Sequence, residues 1–217
     1  MNTTTCTLSL IATTSLQLLR PFSICTGRKL LQDYPDFYVD DTTQGVVFVL
    51  TDAKINGACK ATLRKLYPGP NSTDRILQVA LTHYQEKLFV ANGHTEQPSI
   101  LVLHSYRGVL LRRIVSPLFQ SSSGLCLVGK CLFVSSSSHC IIKLSIMDGN
   151  EDLELYCGKS NEPGNQDGIV TSARFHSPHG IANMGSTLIA CDTGNKSIRL
   201  IGNAGPLRKL SVLCPVV

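Results

Sequence analysis

Charge is scarce in this chain of 217 residues: Asp, Glu, Lys and Arg make up 16% of it, against 43% hydrophobic residues. That balance excludes a disordered polyelectrolyte and implies a buried core. Long apolar runs are missing. None reaches the ~18 residues of a membrane helix, so no membrane span is expected. A dense basic stripe is missing as well. The net charge of +5 is spread thinly, with only pairs such as Arg112–Arg113 and Arg208–Lys209, whereas a dedicated nucleic-acid binder concentrates its charge. No Lys or Arg precedes the apolar patch Leu8–Leu19, which Thr and Ser interrupt. A signal peptide wants a positive start and a cleaner apolar core. The cytoplasm is therefore favoured, and secretion is left open.

Catalytic signatures are absent from the sequence. It has no G-x-S-x-G elbow, no Walker loop and no H-E-x-x-H. The glycines of Gly202–Gly205 lack the third glycine and the following helix of a dinucleotide fingerprint. No enzyme activity and no cofactor are expected. The nine cysteines are an odd number, so at least one thiol is unpaired in a monomer. Cys126, Cys131, His139 and Cys140 suggest zinc at first sight, but Cys126 and Cys131 are five apart instead of the two to four of a zinc knuckle. Buried thiols acting as small apolar side chains are expected instead, and no metal site.

What is present is a series of short, β-branched apolar runs: VVFVL at 46–50, LFVA at 88–91, ILVL at 100–103, LCLV at 125–128, CLFV at 131–134, CIIKL at 140–144 and LIAC at 188–191. Gly, Asn, Asp and Ser bound nearly all of them, which is strand punctuation. Apolar spacing of the helical kind never extends over 11 positions. Residues 108–115 come nearest, and a short helix is expected near 58–66. The fold class is all-β.

The runs repeat. GLCLVGKCLFVSSSSHCIIKL (124–144) and GIANMGSTLIACDTGNKSIRL (180–200) align without a gap, matching Gly124 to Gly180, Leu132 to Leu188, Ile142 to Ile198 and Leu144 to Leu200. Weaker copies begin at Val79 and Gly45. The core strands would start at Val47, Leu88, Leu132 and Leu188. The first two intervals fit the ~40–45-residue period of four-stranded propeller blades. Face-to-face packing of such sheets explains strands that are apolar on both sides. A β-sandwich would show alternation instead.

Residues 157–201 carry the most specific pattern: Asp167-Gly168, Ala173-Arg174-Phe175, Pro178-His179-Gly180-Ile181-Ala182, then Asp192-Thr193-Gly194-Asn195 followed by Ile198-Arg199. This stretch resembles an NHL repeat, a β-propeller blade. Residues 124–144 match only its hydrophobic frame, with four serines from Ser135 where Asp-Thr-Gly-Asn belongs. The resemblance implies structural roles for Asp167, Gly168, Arg174, Phe175, Pro178, Gly180, Asp192, Gly194, Asn195 and Arg199. The residue types agree with turn chemistry. Gly194 can take positive φ, Asn195 tolerates it, the Asp192 carboxylate can bond turn N–H groups, and Phe175 suits a wedge between blades.

The expected organisation is a weakly structured extension over 1–42, then blades near 43–77, 78–117, 118–157 and 177–217, with a connection over 158–176. At ~44 residues per blade this gives about four blades, fewer than the six usual in NHL propellers. An incomplete propeller is expected, with self-association through its open blade edges. The leading expectation for function is a non-catalytic scaffold that binds a protein partner through loops on a propeller face. RNA binding is the alternative, as in NHL propellers attached to tripartite-motif ligases. A secreted propeller lyase is the third, with His176 and His179 as its nearest approach to a metal site.

Overall fold

The computed structural model describes residues 21–26, 37–41, 43–55, 58–68, 81–92, 96–146, 152–202 and 208–210. They form four four-stranded antiparallel sheets, each a simple meander in chain order. The first contains Pro21–Thr26 (β1), Phe37–Asp41 (β2), Val46–Ile55 (β3) and Ala58–Tyr67 (β4). The second contains Leu81–Tyr84 (β5), Lys87–Asn92 (β6), Ser99–His104 (β7) and Leu110–Val115 (β8). The third contains Ser122–Val128 (β9), Cys131–Ser136 (β10), Cys140–Ser145 (β11) and Leu153–Gly158 (β12). The fourth contains Pro178–Met184 (β13), Thr187–Asp192 (β14), Ser197–Ile201 (β15) and Arg208–Leu210 (β16). Helical structure among the described residues is limited to two 3-10 turns, Pro117–Phe119 and Thr193–Asn195. No helix among them is long and apolar enough to cross a membrane.

Three expectations are corrected. The stretch 1–42 is not merely an extension, because β1 and β2 belong to the first sheet. Its signal was hidden by brevity: the apolar part of β2 is three residues, and Asp41 already begins the hairpin by accepting from Gln44 N at 3.0 Å. Val47 therefore lies in a third strand, whereas Leu88, Leu132 and Leu188 lie in second strands. The helix expected near 58–66 is β4, and 108–115 contains β8. Good helix formers such as Ala, Lys, Leu and Arg yield there to pairing with a neighbouring strand, since propensity is a weak prior.

The third correction concerns the gapless alignment. The turn between β10 and β11 is Ser137–His139, while that between β14 and β15 is Thr193–Lys196, one residue longer. Val134 pairs with Ile142 and Ala190 with Arg199; Leu132 pairs with Leu144 and Leu188 with Ile201. Ile142 thus corresponds to Arg199, and Leu144 to Ile201. In a strand, a one-residue slip exchanges the two faces, so Arg199 points to the side where the third sheet has a buried isoleucine.

The core is three apolar seams. Val47 and Val49 meet Leu88, Val90, Leu101 and Leu103 between sheets one and two. Phe89, Ala91 and Ile100 meet Leu125, Leu132, Val134 and Ile142 between sheets two and three. Cys126, Phe133 and Ile141 meet Leu188, Ala190 and Ile201 between sheets three and four. Each middle sheet is buried on both faces, which accounts for strands without alternation. No cluster joins the fourth sheet to the first among the described residues, so the array is open there. Leu88, Leu132 and Leu188 are all buried. Leu132→Ala is expected to cost ~2–5 kcal/mol, seen as a lowered urea midpoint with unchanged slope. A loss under ~1 kcal/mol would contradict Leu132's place at the centre of its seam.

Candidate functional site: the loop face above the last two sheets

In a meander, the turn between strands two and three lies at the same end of the sheet as the connection to the next sheet. Three such segments meet here: 137–139, 159–177 and 193–196. Backbone bonds tie them, with Asn161 N donating to Ser138 O at 2.9 Å and Gly194 N to His176 O at 2.8 Å. The left-handed residue of the 193–196 turn is Lys196, at φ 50°, and not Gly194 or Asn195; the glycine is needed for the close approach instead. A Cβ there would stand 2.5 Å from His176 Cγ and 2.7 Å from His176 O.

Beneath these loops lies a buried polar knot. Arg199 and Asp192 both have side chains at 0% exposure, with Nη1 and Oδ2 3.2 Å apart. The other donors of Arg199 reach the long connection: Nη1 donates to Asn165 Oδ1 at 3.3 Å, and Nη2 donates to Gln166 O at 2.7 Å and to Asp167 Oδ1 at 2.8 Å. Its Nε is buried without a hydrogen-bond partner. Asp192 Oδ1 accepts from His176 N at 2.7 Å, and Oδ2 also accepts from Asn195 Nδ2 at 2.8 Å. The same Asn195 amide donates to Gly164 O at 2.8 Å. The Phe175 ring lies 5.3 Å from the guanidinium carbon of Arg199. A buried charge is tolerable only when paired and hydrogen-bonded in this way.

Of the residues singled out from the sequence, the knot brings together Asp167, Phe175, Asp192, Asn195 and Arg199. Arg174 lies outside it, its Nη1 donating to the carbonyls of Thr171, Ser172 and Ala173 at 3.2, 3.0 and 2.9 Å. Gly168 sits in the same turn, where a Cβ would meet Ser172 Oγ at 2.5 Å. Pro178 is buried and pairs with Asp192. Gly180 is apart from the others, exposed on the far face of the fourth sheet.

The sequence did not reveal a histidine pair. His139 and His176 have ring centroids 5.5 Å apart at 60°. His139 adopts φ 75° and its Nδ1 accepts from Ser177 N at 3.0 Å, linking the third sheet's turn to the start of the fourth. Burial holds the His139 pKa below its ordinary value; the nearby His176 pushes the same way, and Asp192 opposes both. Protonation would place a hydrogen on the nitrogen that accepts from Ser177. A lowered folded-state pKa means the unfolded chain binds the proton more readily, so stability rises with pH across this window. Its contribution is complete above the ordinary value of ~6.5 and is lost as pH falls through the lowered one. Thermal melts should therefore fall between pH ~7.5 and ~5, and His139→Asn, which tolerates positive φ, should fall less. Equal slopes for the two proteins would reject this role for His139.

The serines that replace the motif in the third sheet do corresponding work. Ser136 stands where Asp192 does: its Oγ donates to Gln120 O at 2.8 Å and accepts from Ser138 N at 3.1 Å. Ser123 Oγ donates to Pro178 O at 2.9 Å, and Ser135 Oγ to His179 O, stitching β9 and β10 to β13. Cys126, Cys131, Cys140, Cys157 and Cys191 are free thiols. Burial pushes Cys140 up to about 11 and Cys157 up to about 12. Among the described residues no group of three or more His, Cys, Asp or Glu is placed to hold a metal ion.

No known family's sequence profile matches the chain, and no curated protein matches it by sequence. Solved structures do. One, from a nidogen/laminin complex, shares 15% identity at a TM-score of 0.53, covering 78% of this chain and 56% of its own. Another is a catalytically inactive virginiamycin B lyase from Staphylococcus aureus with quinupristin, at 16% identity and a TM-score of 0.53 over 90% of this chain and 71% of its own. Both are β-propellers. The fold is that of an incomplete β-propeller. Its four sheets are blades, and the chain spans little more than half the length of the nidogen-complex chain it matches.

Proposed function

We propose that the chain is an NHL-repeat propeller acting as a non-catalytic protein-interaction scaffold. The carrying observation is the Arg199–Asp192 knot. It turns Asp192 and Arg199 inward and uses them to hold the 159–177 connection and the 193–196 turn together. The outward groups of that loop face, Asn161, His176, Thr193 and Lys196, stay exposed on a fixed frame. Loops on a rigid scaffold are where binding residues concentrate. One structural neighbour is a propeller seen in a protein–protein complex, with laminin. The test is affinity capture by the folded chain, with and without nuclease, beside a Lys196→Glu variant. A protein retained after nuclease and lost with the variant is expected. Capture that vanishes on nuclease treatment would replace this reading with RNA binding.

A lyase is the second reading. Another neighbour is a lyase, and the His139–His176 pair lies at the loop face. Quinupristin incubated with the protein should be recovered with its chromatographic retention unchanged, a readout that also detects ring opening by elimination, which leaves the mass the same. Conversion abolished by His176→Ala would establish an enzyme in place of the scaffold.

A further inference from the structure

We infer that the contact of His139 with His176 and Ser177 is a proton-operated clasp, which holds the third blade's loop on the fourth while neutral and opens this loop face on mild acidification. That the face binds a partner rests on the scaffold reading. The clasp is tested without a partner, so the two fail separately.

The geometry is that of a strained closure. His139 holds φ 75° and Ser177 holds φ 49°, left-handed conformations that are uncommon for residues with a side chain. The hydrogen bond from Ser177 N to His139 Nδ1, at 3.0 Å, joins these two residues directly. Beside it Asn161, at φ 61°, donates its N–H to Ser138 O at 2.9 Å. Strained residues persist where their surroundings over-determine them, and they gather at switch regions. Here the imidazole supplies the restraint twice, through its bond to Ser177 and its ring contact with His176.

Protonation acts on both contacts at once. It turns Nδ1 from an acceptor into a donor that faces the Ser177 N–H, and it sets a positive ring beside His176 at 5.5 Å. Asp192 is a nearby charge of opposite sign, but its oxygens already accept from His176 N, Asn195 and Arg199. On the connection, Lys159 and Glu162 pair with each other at 2.5 Å. Lys196, on the 193–196 turn, is a further positive charge. His179, on β13, meets the third blade through its carbonyl. The buried thiols below, Cys140 and Cys157, are pushed up to about 11 and about 12, so they stay protonated throughout. Burial and His176 lower the His139 pKa. The closed form is therefore complete above the ordinary value of ~6.5 and is lost as pH falls through the lowered one.

Hydrogen exchange of the Ser177 amide, read by NMR on the full chain from about pH 8 to about pH 5 and corrected for intrinsic exchange, tests this. Ser177 should be less protected than Ala190 in the centre of the blade at every pH, as a local opening requires. Between ~6.5 and the lowered pKa its opening should grow by up to roughly tenfold per pH unit, in step with the titration of the His139 ring. His139→Asn tolerates positive φ and places Oδ1 where Nδ1 stood, an acceptor that does not titrate. It should keep Ser177 protected with no such pH dependence. His139→Gly accepts the same φ without an acceptor, and should leave Ser177 open at every pH. Ser177 protection equal to that of Ala190 would mean that the loops part only on global unfolding. That result, a Ser177 amide indifferent to pH, or a His139→Asn variant that opens as the wild type does, would each overturn the clasp.

Discussion

Replacing Arg199 with isoleucine is expected to destabilise the protein by about 3–5 kcal/mol, the range for removing one partner of a buried ion pair. Asp192 is fully buried and would lose its counter-charge, keeping only the His176 and Asn195 donors. Asn165, Gln166 and Asp167 would lose the group that anchors the long connection to β15. Chemical denaturation monitored by circular dichroism reads the loss. A cost within ~0.5 kcal/mol, typical of an uninvolved surface position, would mean that the knot does not hold the blade.

The third blade supplies the control for this experiment. Its corresponding residues are Ser136 and Ile142, with Ile142 fully buried and no charge at either position. Asp192→Ser combined with Arg199→Ile therefore transplants a pair that the same fold already accommodates one blade away. The double variant should lose only about 1–2 kcal/mol, because removing a buried pair together is far cheaper than stranding one half of it. Asp167 tolerates the change, since its side chain is 43% exposed and stays hydrated. A double variant as unstable as the sum of the single ones would show that the two residues act independently.

The strand content was legible in the sequence because run length and Gly, Asn, Asp and Ser punctuation report directly on strands packed on both faces. That same two-sided burial concealed the register. Ile198 and Leu200 are apolar, and so are Ile142 and Leu144, so a gapless alignment matched hydrophobic to hydrophobic and nothing exposed the extra turn residue. Only the pairing of Ala190 with Arg199 shows that the charged side chain is the inward one. The residues of the knot were visible as a motif, but their meeting was not. Asp167 and Arg199 are far apart in sequence, and their contact depends on how the 159–177 connection folds back. The histidine pair was hidden for a similar reason, since His139 and His176 come from different blades. The first blade was shortened because Ser23 interrupts the apolar residues of β1 and the apolar part of β2 is only three residues long.

Phe175→Ala is expected to cost about 3–5 kcal/mol, the range for emptying a buried aromatic site. The ring is fully buried in the seam between blades three and four, in a cluster with Cys157, Ala173 and Leu188. The chain yields space to it: Gly158 adopts φ +90°, and a Cβ at that position would lie 2.9 Å from Phe175 Cδ2. The ring has a second role, presenting its face to the Arg199 guanidinium at 5.3 Å. The two contributions separate by substitution. Phe175→Leu keeps much of the volume and should cost less than about 1.5 kcal/mol from packing, with about 0.5–2 kcal/mol more if the cation–π contact is lost. In a double-mutant cycle with Arg199→Met, that second part should disappear, because no guanidinium remains to lose its ring. A cycle with no coupling would reduce Phe175 to an apolar wedge. A cost under ~1 kcal/mol for Phe175→Ala would deny even that, since a wedge that can be removed so cheaply is not holding two blades together.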